Sequence, residues 1–371
     1  MRTEDEGSAD GANHGGETGF NRRSPLPLSA RFAAPFGTSP AWGFPFPPTA
    51  FRFPFFLLLA VLGFVADTGA EATNERPALI VAVGAAGEDE FGTGFAEWAH
   101  NLESAARRGG ADCTLIGERP DDPVSAREKL QLALANAAKE STAELWLVLV
   151  GHGTFDGKEA KFNLRGIDIS ATELLGWLQP FQRPIAIVDT TAASAPFLSK
   201  LSATNHVIVT ATRTGGEMNF ARFGKYFSTA VGDLAADLDK DGQTSLLEAF
   251  LMASRQVKEF YEGEGRLMTE HALLDDNGDG LGTPPDWFRG IRANKTAKDG
   301  AAVDGLRAHQ FYLVRSEAEQ RLSPATRARR DAIELSLAQL RDAKRSLAED
   351  DYYQQLEAFL LELARLYEQS K

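Results

Sequence analysis

His152 stands in Val150-Gly151-His152-Gly153, directly after an apolar run at 144–150. An imidazole titrates near pH 6.5, so a histidine at a strand end is a candidate general base, with a purely structural histidine as the competing reading. Glycines on both sides let the chain turn and bring the ring to the mouth of a sheet. A second apolar run, 184–189, ends in Asp189-Thr190-Thr191-Ala192-Ala193-Ser194, a turn rich in small and hydroxyl-bearing residues. If the two runs are neighbouring strands, their ends lie about 5 Å apart, within reach of one another's side chains. Cys113, the single cysteine, falls in a short run at 113–116 instead. It is read as a small core residue, and a lone cysteine excludes an intramolecular disulfide framework or a multi-cysteine metal site.

The elements that must position these residues alternate in type. A continuous apolar run at 78–83 suits a buried parallel strand, and further strands are expected over 113–116, 144–150, 184–189 and 206–211. Helical spacing covers 91–108, stopped by Gly109-Gly110, and helices are also expected over 123–139 and 171–178, with a hairpin around 161–169. Repeated strand–helix units imply an α/β fold, a mostly parallel sheet sandwiched by helices, and such sheets bind ligands beyond the carboxyl ends of their strands. From Ser323-Pro324 onward the composition shifts to Ala, Leu, Arg and Glu. Ile333, Leu337, Leu340, Leu347, Leu356, Phe359, Leu360, Leu363 and Leu366 recur at helical spacing. A break at Asp350-Asp351 makes this a C-terminal helical hairpin that packs on itself or on a partner helix, too short for a long coiled coil.

In order, spacing and strand context, these motifs resemble the caspase/legumain superfamily of cysteine peptidases, nearest to bacterial legumain-like proteins. In that family a His-Gly pair ends one strand, and the nucleophile sits in an Asp/Glu-Ala-Cys turn ending the next. Leu149-Val150-Gly151-His152-Gly153 matches the first element, and Ile187-Val188-Asp189-Thr190-Thr191 matches the second, except that Thr191 stands in place of the cysteine. The likeness spans roughly residues 77–290 and implies a caspase-like sheet and a peptidase-type site. A threonine hydroxyl ionises far less readily than a thiol and needs a base to remove its proton. Threonine nucleophiles typically use their own free α-amine, which an internal Thr191 lacks. A catalytically silent member is therefore the expectation, with Ser194 as a substitute nucleophile in the opposite case. Arg213, just past the fifth run, is placed to bind an acidic ligand side chain or to form a surface ion pair. Asp189 either orients a neighbouring backbone N–H or caps the turn.

Two acidic stretches have calcium-loop spacing. In Asp237-Leu-Asp239-Lys-Asp241-Gly242-Gln243-Thr-Ser245-Leu-Leu-Glu248, oxygen side chains stand at positions 1, 3, 5, 9 and 12, with glycine at position 6 and the Gln243 carbonyl at position 7. Helix-like sequence flanks it at 220–236 and 246–261. Asp275-Asp-Asn277-Gly-Asp279-Gly280-Leu281-Gly-Thr283-Pro-Pro-Asp286 repeats the pattern more weakly, since prolines stiffen its end and aspartate reaches less far than glutamate. A structural Ca²⁺ is the expectation, against solvated acidic turns. His14, His100, His206, His271 and His309 show no ligand spacing for zinc.

The chain of 371 residues carries a net charge of −13; residues 1–72 hold five Arg and seven acids, leaving −11 for the rest. That balance argues against nucleic acid or an anionic membrane as the main partner, since both need basic patches. Residues 1–50 are rich in Gly, Pro, Ser and Phe and lack periodicity, so they are read as a disordered extension, which a downstream start codon would equally explain. Residues 51–72 combine Arg52, the apolar stretch 53–66 and the small-residue pattern Ala70-Glu71-Ala72, which describes a signal peptide or, if uncleaved, an N-terminal membrane anchor. The α/β domain then occupies 77–290, a linker 291–322 and the helical segment 323–371. Three functions remain open: an exported, calcium-stabilised, silent peptidase homologue that binds peptide or protein; a hydrolase using Thr191 or Ser194 with His152; and a structural envelope protein.

Overall fold

Among the described residues six strands form the central sheet, and its inner strands are apolar for most of their length because helices cover both faces. The computed structural model describes residues 76–119, 122–295 and 302–369. The expected extension and signal segment, with His14, lie outside the described residues. The chain order begins β1 (Ala78–Val83), α1 (Asp89–Arg108), β2 (Asp112–Ile116), α2 (Ala126–Asn136) and β3 (Leu145–Val150). A small three-stranded antiparallel sheet follows, made of β4 (Gly153–Phe155), β5 (Ala160–Phe162) and β6 (Ile169–Ser170). Next come α3 (Ala171–Leu178), β7 (Ile185–Asp189), α4 (Ala195–Leu201), β8 (His206–Thr210), α5 (Phe223–Ala230), α6 (Leu246–Gly263) and β9 (Leu273–Asp275). The sheet order is β2-β1-β3-β7-β8-β9, parallel throughout except for β9, which runs antiparallel at the edge.

Two cores result. On one face Trp98, Leu102, Phe223, Phe227 and Phe250 from α1, α5 and α6 pack on alternate residues of the strands. On the other, Leu130, Leu174 and Phe197 from α2, α3 and α4 cover the intervening ones. Burying side chains of this size contributes about 1.5–3 kcal/mol each.

Several boundaries move for local reasons. α2 starts after Ser125, whose side chain accepts from the Glu128 N–H while Glu128 reaches back, a reciprocal cap that overrides Pro123 as a start signal. The helix expected over 220–236 shrinks to α5, which starts where Glu270 accepts the Arg222 and Phe223 N–H groups and ends before Gly232. The structure also adds α4 and β9, and gives the single hairpin expected around 161–169 a third strand.

Over its described residues 302–322, the stretch expected as a linker packs into the domain. After a two-stranded ribbon, β10 (Phe288–Arg289) and β11 (Arg292–Ala293), the chain buries Ala308, Phe311, Tyr312 and Leu313. Phe311 accepts the Leu246 N–H at 2.8 Å, and Arg315 pairs with Glu144 at the start of β3. A short α7 (Glu317–Arg321) precedes the hairpin of α8 (Pro324–Asp342) and α9 (Glu349–Gln369). The turn lies between these helices, upstream of Asp350-Asp351, because Glu349, Asp350 and Asp351 occupy the first turn of α9, where acids suit the helix dipole. Among the described residues no helix is long and apolar enough to cross a membrane.

Candidate functional site

β3 and β7 are direct neighbours, with Leu149 opposite Asp189, so the loops carrying His152 and Thr191 leave the same edge of the sheet side by side. Thr190 ties the second loop to the first strand, its N–H and hydroxyl both donating to the Leu149 carbonyl at 3.1 and 2.8 Å. Gly153 explains the close approach. A Cβ there would stand 2.4 Å from the Thr191 Oγ1 and 2.3 Å from the Ala192 carbonyl oxygen, so any other residue would force the loops apart. Its role is this proximity, not the turn expected of it.

The His152 ring is half-buried in an aromatic nest. Phe91 and Phe95, one turn apart on α1, meet it edge-on at centroid distances of 4.9 and 5.1 Å, and Phe220 lies at 5.8 Å. Nε2 sits 3.1 Å from the Ala86 carbonyl oxygen, which can only accept, so Nε2 carries the proton and Nδ1 is the basic atom of the neutral ring. The spacing of Phe91 and Phe95 is readable as one helix face; Phe220 comes from a loop that no local pattern connects to His152.

Thr191 is fully buried, and its hydroxyl is already engaged. Oγ1 donates to Asp189 Oδ1 at 2.7 Å, with the Ala192 carbonyl oxygen 3.1 Å away, and the Thr191 N–H donates to the same carboxylate oxygen at 3.0 Å. No hydrogen bond joins Thr191 to His152 among the described residues. Asp189 is itself fully buried, and its Oδ2 has no partner among the described residues. Burial pushes its carboxyl up to about 6, against the pull of the two Thr191 donors. The turn closes through Ala193 at φ 54°, a left-handed conformation costly for a residue with a Cβ, held by its N–H donating to the Glu217 carbonyl at 2.8 Å.

Ser194 makes no hydrogen bond to His152 among the described residues. Its buried Oγ lies 3.1 Å from Thr212 Oγ1 and accepts the Thr212 N–H, which pins the turn to the end of β8. Arg213 is exposed and forms the ion-pair alternative of the two readings: its N–H donates to Glu217 Oε2 at 2.9 Å and its Nε lies 3.3 Å from Oε1. Glu217 also receives His271 Nδ1 at 2.6 Å, so a Glu–His pair stands beside the turn, which spacing along the chain did not reveal.

The first acidic loop brings part of its ligand set together. Oxygens of Asp237, Asp239 and Glu248 lie within 4.8 Å of one another, a spacing compatible with Ca²⁺–oxygen distances of about 2.3–2.6 Å. Gly242 takes φ 89°, and its N–H donates to Asp237 Oδ2 at 3.1 Å. Burial raises the pKa of Asp239 and Asp241. Two expected side-chain ligands are otherwise occupied: Asp241 accepts from the Gln243 side chain, and Ser245 caps α6 in a reciprocal pair with Glu248; the Gln243 side-chain oxygen, distinct from the backbone carbonyl expected as ligand, accepts the Ser316 N–H. Glu248 thus serves helix and loop together. His309, 70 positions from Asp239 in sequence, places Nε2 3.3 Å from its Oδ2.

The second loop holds its backbone as the first does, where Asp237 accepts the Lys240 and Gly242 N–H groups, Asp239 that of Asp241 and Asp241 that of Gln243. Asp275 accepts the Gly278 and Gly280 N–H groups, Asn277 accepts that of Asp279, and Asp279 accepts that of Leu281. Asp286 does not join them: it sits in a 3₁₀ turn and pairs with Lys295. Asp275, Asp276 and Asp304 are all buried here, and the backbone of both segments folds on the last two. Cys113 lies on edge strand β2, separated from β7 by β1 and β3, and burial pushes its thiol up to about 11.

No family model and no curated protein matches this chain. Solved structures overlap it weakly, each with a TM-score of 0.36. The Drosophila initiator caspase Dronc is 13% identical, over 56% of this chain and 81% of its own. A protein from Geobacter sulfurreducens is 11% identical over 54% and 93%, and caspase-1 from Spodoptera frugiperda 10% over 54% and 86%. Overlap at this level says nothing of chemistry.

Proposed function

We propose that this chain is a catalytically silent peptidase homologue of the caspase/legumain type whose strand-end site binds peptide or protein. One observation carries the reading: the hydroxyl at the nucleophile position is buried and spends its proton on Asp189, while the Nε2 of His152 is turned to the Ala86 carbonyl. A hydroxyl so placed has no hydrogen bond to His152 among the described residues and, being fully buried, no path to a scissile carbonyl. The motif likeness at 149–153 and 187–191 and the adjacency of β3 and β7 support the peptidase-type ancestry of the site. Export by residues 51–72 and a structural calcium at Asp237, Asp239 and Glu248 complete the reading. The helical hairpin offers a surface to a partner.

The full chain, the Thr191→Ala variant and the Thr191→Cys variant are incubated with a diverse peptide library, with and without calcium. No cleavage by the parent is expected. Cleavage by the parent that disappears in Thr191→Ala would overturn the proposal in favour of a threonine-dependent hydrolase. Binding is read separately, by recovery of peptides on the immobilised parent; recovery no better than on a heat-unfolded sample would remove the peptide-binding half of the reading.

A further inference from the structure

The last helix, α9, is covered on one side only. Tyr352 is buried, Phe359, Leu363 and Leu366 are half-buried, and Glu362 pairs with Arg329, so this side meets α8. Tyr353, Leu360 and Leu361 are exposed to 50%, 49% and 49%, and with half-buried Leu356 and exposed Glu357 they line one open groove. Apolar side chains exposed singly are ordinary, whereas apolar side chains that adjoin form a docking face.

The charge of the groove says what covers it. Glu357 lies four residues after Tyr353, three before Leu360 and four before Leu361, spacings that make neighbours on a helix surface. A carboxylate therefore stands amid the apolar side chains, with no ion pair among the described residues. Exposed Asp350, seven residues back, occupies the same side of the helix about 10.5 Å away along its axis, and exposed Glu368 follows on that side. Arg365 stands about 140° round the helix from Leu360. Lys344 lies over the Tyr352 and Tyr353 rings at 4.9 and 5.8 Å, at the amino end of the groove. The rim beside Leu360 and Leu361 is thus acidic. An isologous contact with a second copy would pair this patch with itself, acids beside acids. Charge complementarity calls instead for a partner that brings apolar side chains and cations together.

We propose that this face of α9 docks an amphipathic helix of another protein, its apolar stripe on Tyr353, Leu356, Leu360 and Leu361 and a Lys or Arg against Glu357. A second cation seven residues along the partner meets Asp350, since packed helices keep a heptad register. The proposal rests on the reading of the hairpin as a partner surface and does not depend on the strand-end site.

Fluorescence anisotropy on the full chain uses a three-heptad peptide with Leu at positions a and d and Lys at e and g. Two controls have the same length, one with Glu for every Lys and one with Ala for every Leu. Saturable binding of the Leu/Lys peptide is expected, roughly tenfold or more tighter than that of either control. Leu360→Asp should weaken it by a similar factor, because it puts a charge into the apolar contact. Glu357→Lys should weaken it roughly tenfold and raise the affinity for the Leu/Glu peptide, a gain that misfolding cannot produce. Circular dichroism checks that both variants, at surface positions, keep the fold. Equal binding of the Leu/Glu peptide to the parent would overturn the proposal while leaving the hairpin a partner surface. Equal binding of the Ala/Lys peptide would reduce it to attraction between a basic peptide and an acidic chain. Dimers of the parent that Leu360→Asp abolishes would assign the face to a second copy. No binding of any peptide would overturn the proposal and remove the partner-surface reading with it.

Discussion

The Thr191 hydroxyl lies 2.7 Å from Oδ1 of Asp189, two residues back in the same turn, and gives its proton there. A peptidase would need that proton aimed across the gap at His152. The same carboxylate also takes the Thr191 N–H, so Asp189 holds the turn closed through both donors of Thr191. Replacing Thr191 by valine removes one donor from a buried carboxyl while nearly keeping its volume. Destabilisation of about 1–3 kcal/mol is expected by denaturant unfolding at pH 8, with peptide cleavage unchanged at background. A loss below about 0.5 kcal/mol would show that the bond contributes little.

Stability should fall as pH rises from about 4 to 8. Asp189, pushed up to about 6, and Asp304, pushed up to about 8 by burial and by Asp276, both keep a proton in the folded chain that the unfolded chain has already released. A raised carboxyl pKa gives stability that is complete below the unfolded value near 4 and lost as pH climbs through the folded value, at about 1.4 kcal/mol for each pH unit between the two. Unfolding measured at pH 4.5, 6 and 8 without calcium tests this, and Asp189→Asn should flatten the portion between 4.5 and 6. A flat or rising profile in the parent would contradict it.

Gly153→Ala tests the contact between the two loops. Its Cβ meets the Ala192 carbonyl and the Thr191 hydroxyl at distances no real contact allows, so a loss of about 1–3 kcal/mol is expected. Gly176→Ala, within α3 with open space around it, is the control and should be neutral or stabilising by up to about 1 kcal/mol. Equal effects at both positions would remove the special status of Gly153.

Excess calcium should raise the Tm of the parent, and chelation should reverse the rise. Asp237→Asn and Asp239→Asn should abolish it, since both carboxylates converge with that of Glu248. Asp286→Asn should leave it intact, because Asp286 is occupied with Lys295 away from the loop. A rise that survives in Asp237→Asn and Asp239→Asn would move the ion elsewhere.

Much of the fold was legible along the chain because it depends on period. The apolar runs at 78–83, 145–150, 185–188 and 207–209 have no polar side to leave in water, which suits strands covered on both faces. That requirement set the parallel sheet, the placement of His152 and Thr191 at strand ends, and the isolation of Cys113. The linker expected at 291–322 failed because Ala308, Phe311, Tyr312 and Leu313 follow neither helical nor strand period and find their core only in three dimensions. For the same reason His309 beside Asp239, and Glu217 beside His271, were out of sight.

The sequence by itself determined which residues stand at the mouth of the sheet, His152 on one strand end and Thr191 on the next. Only the tertiary structure decided where that threonine's proton goes. A hydrogen bond is settled over a few tenths of an ångström by rotamer and backbone angle, and those follow from Ala193 held at φ 54° by Glu217, from Gly153 pressed against the turn, and from a buried carboxylate that accepts whatever donor lies nearest.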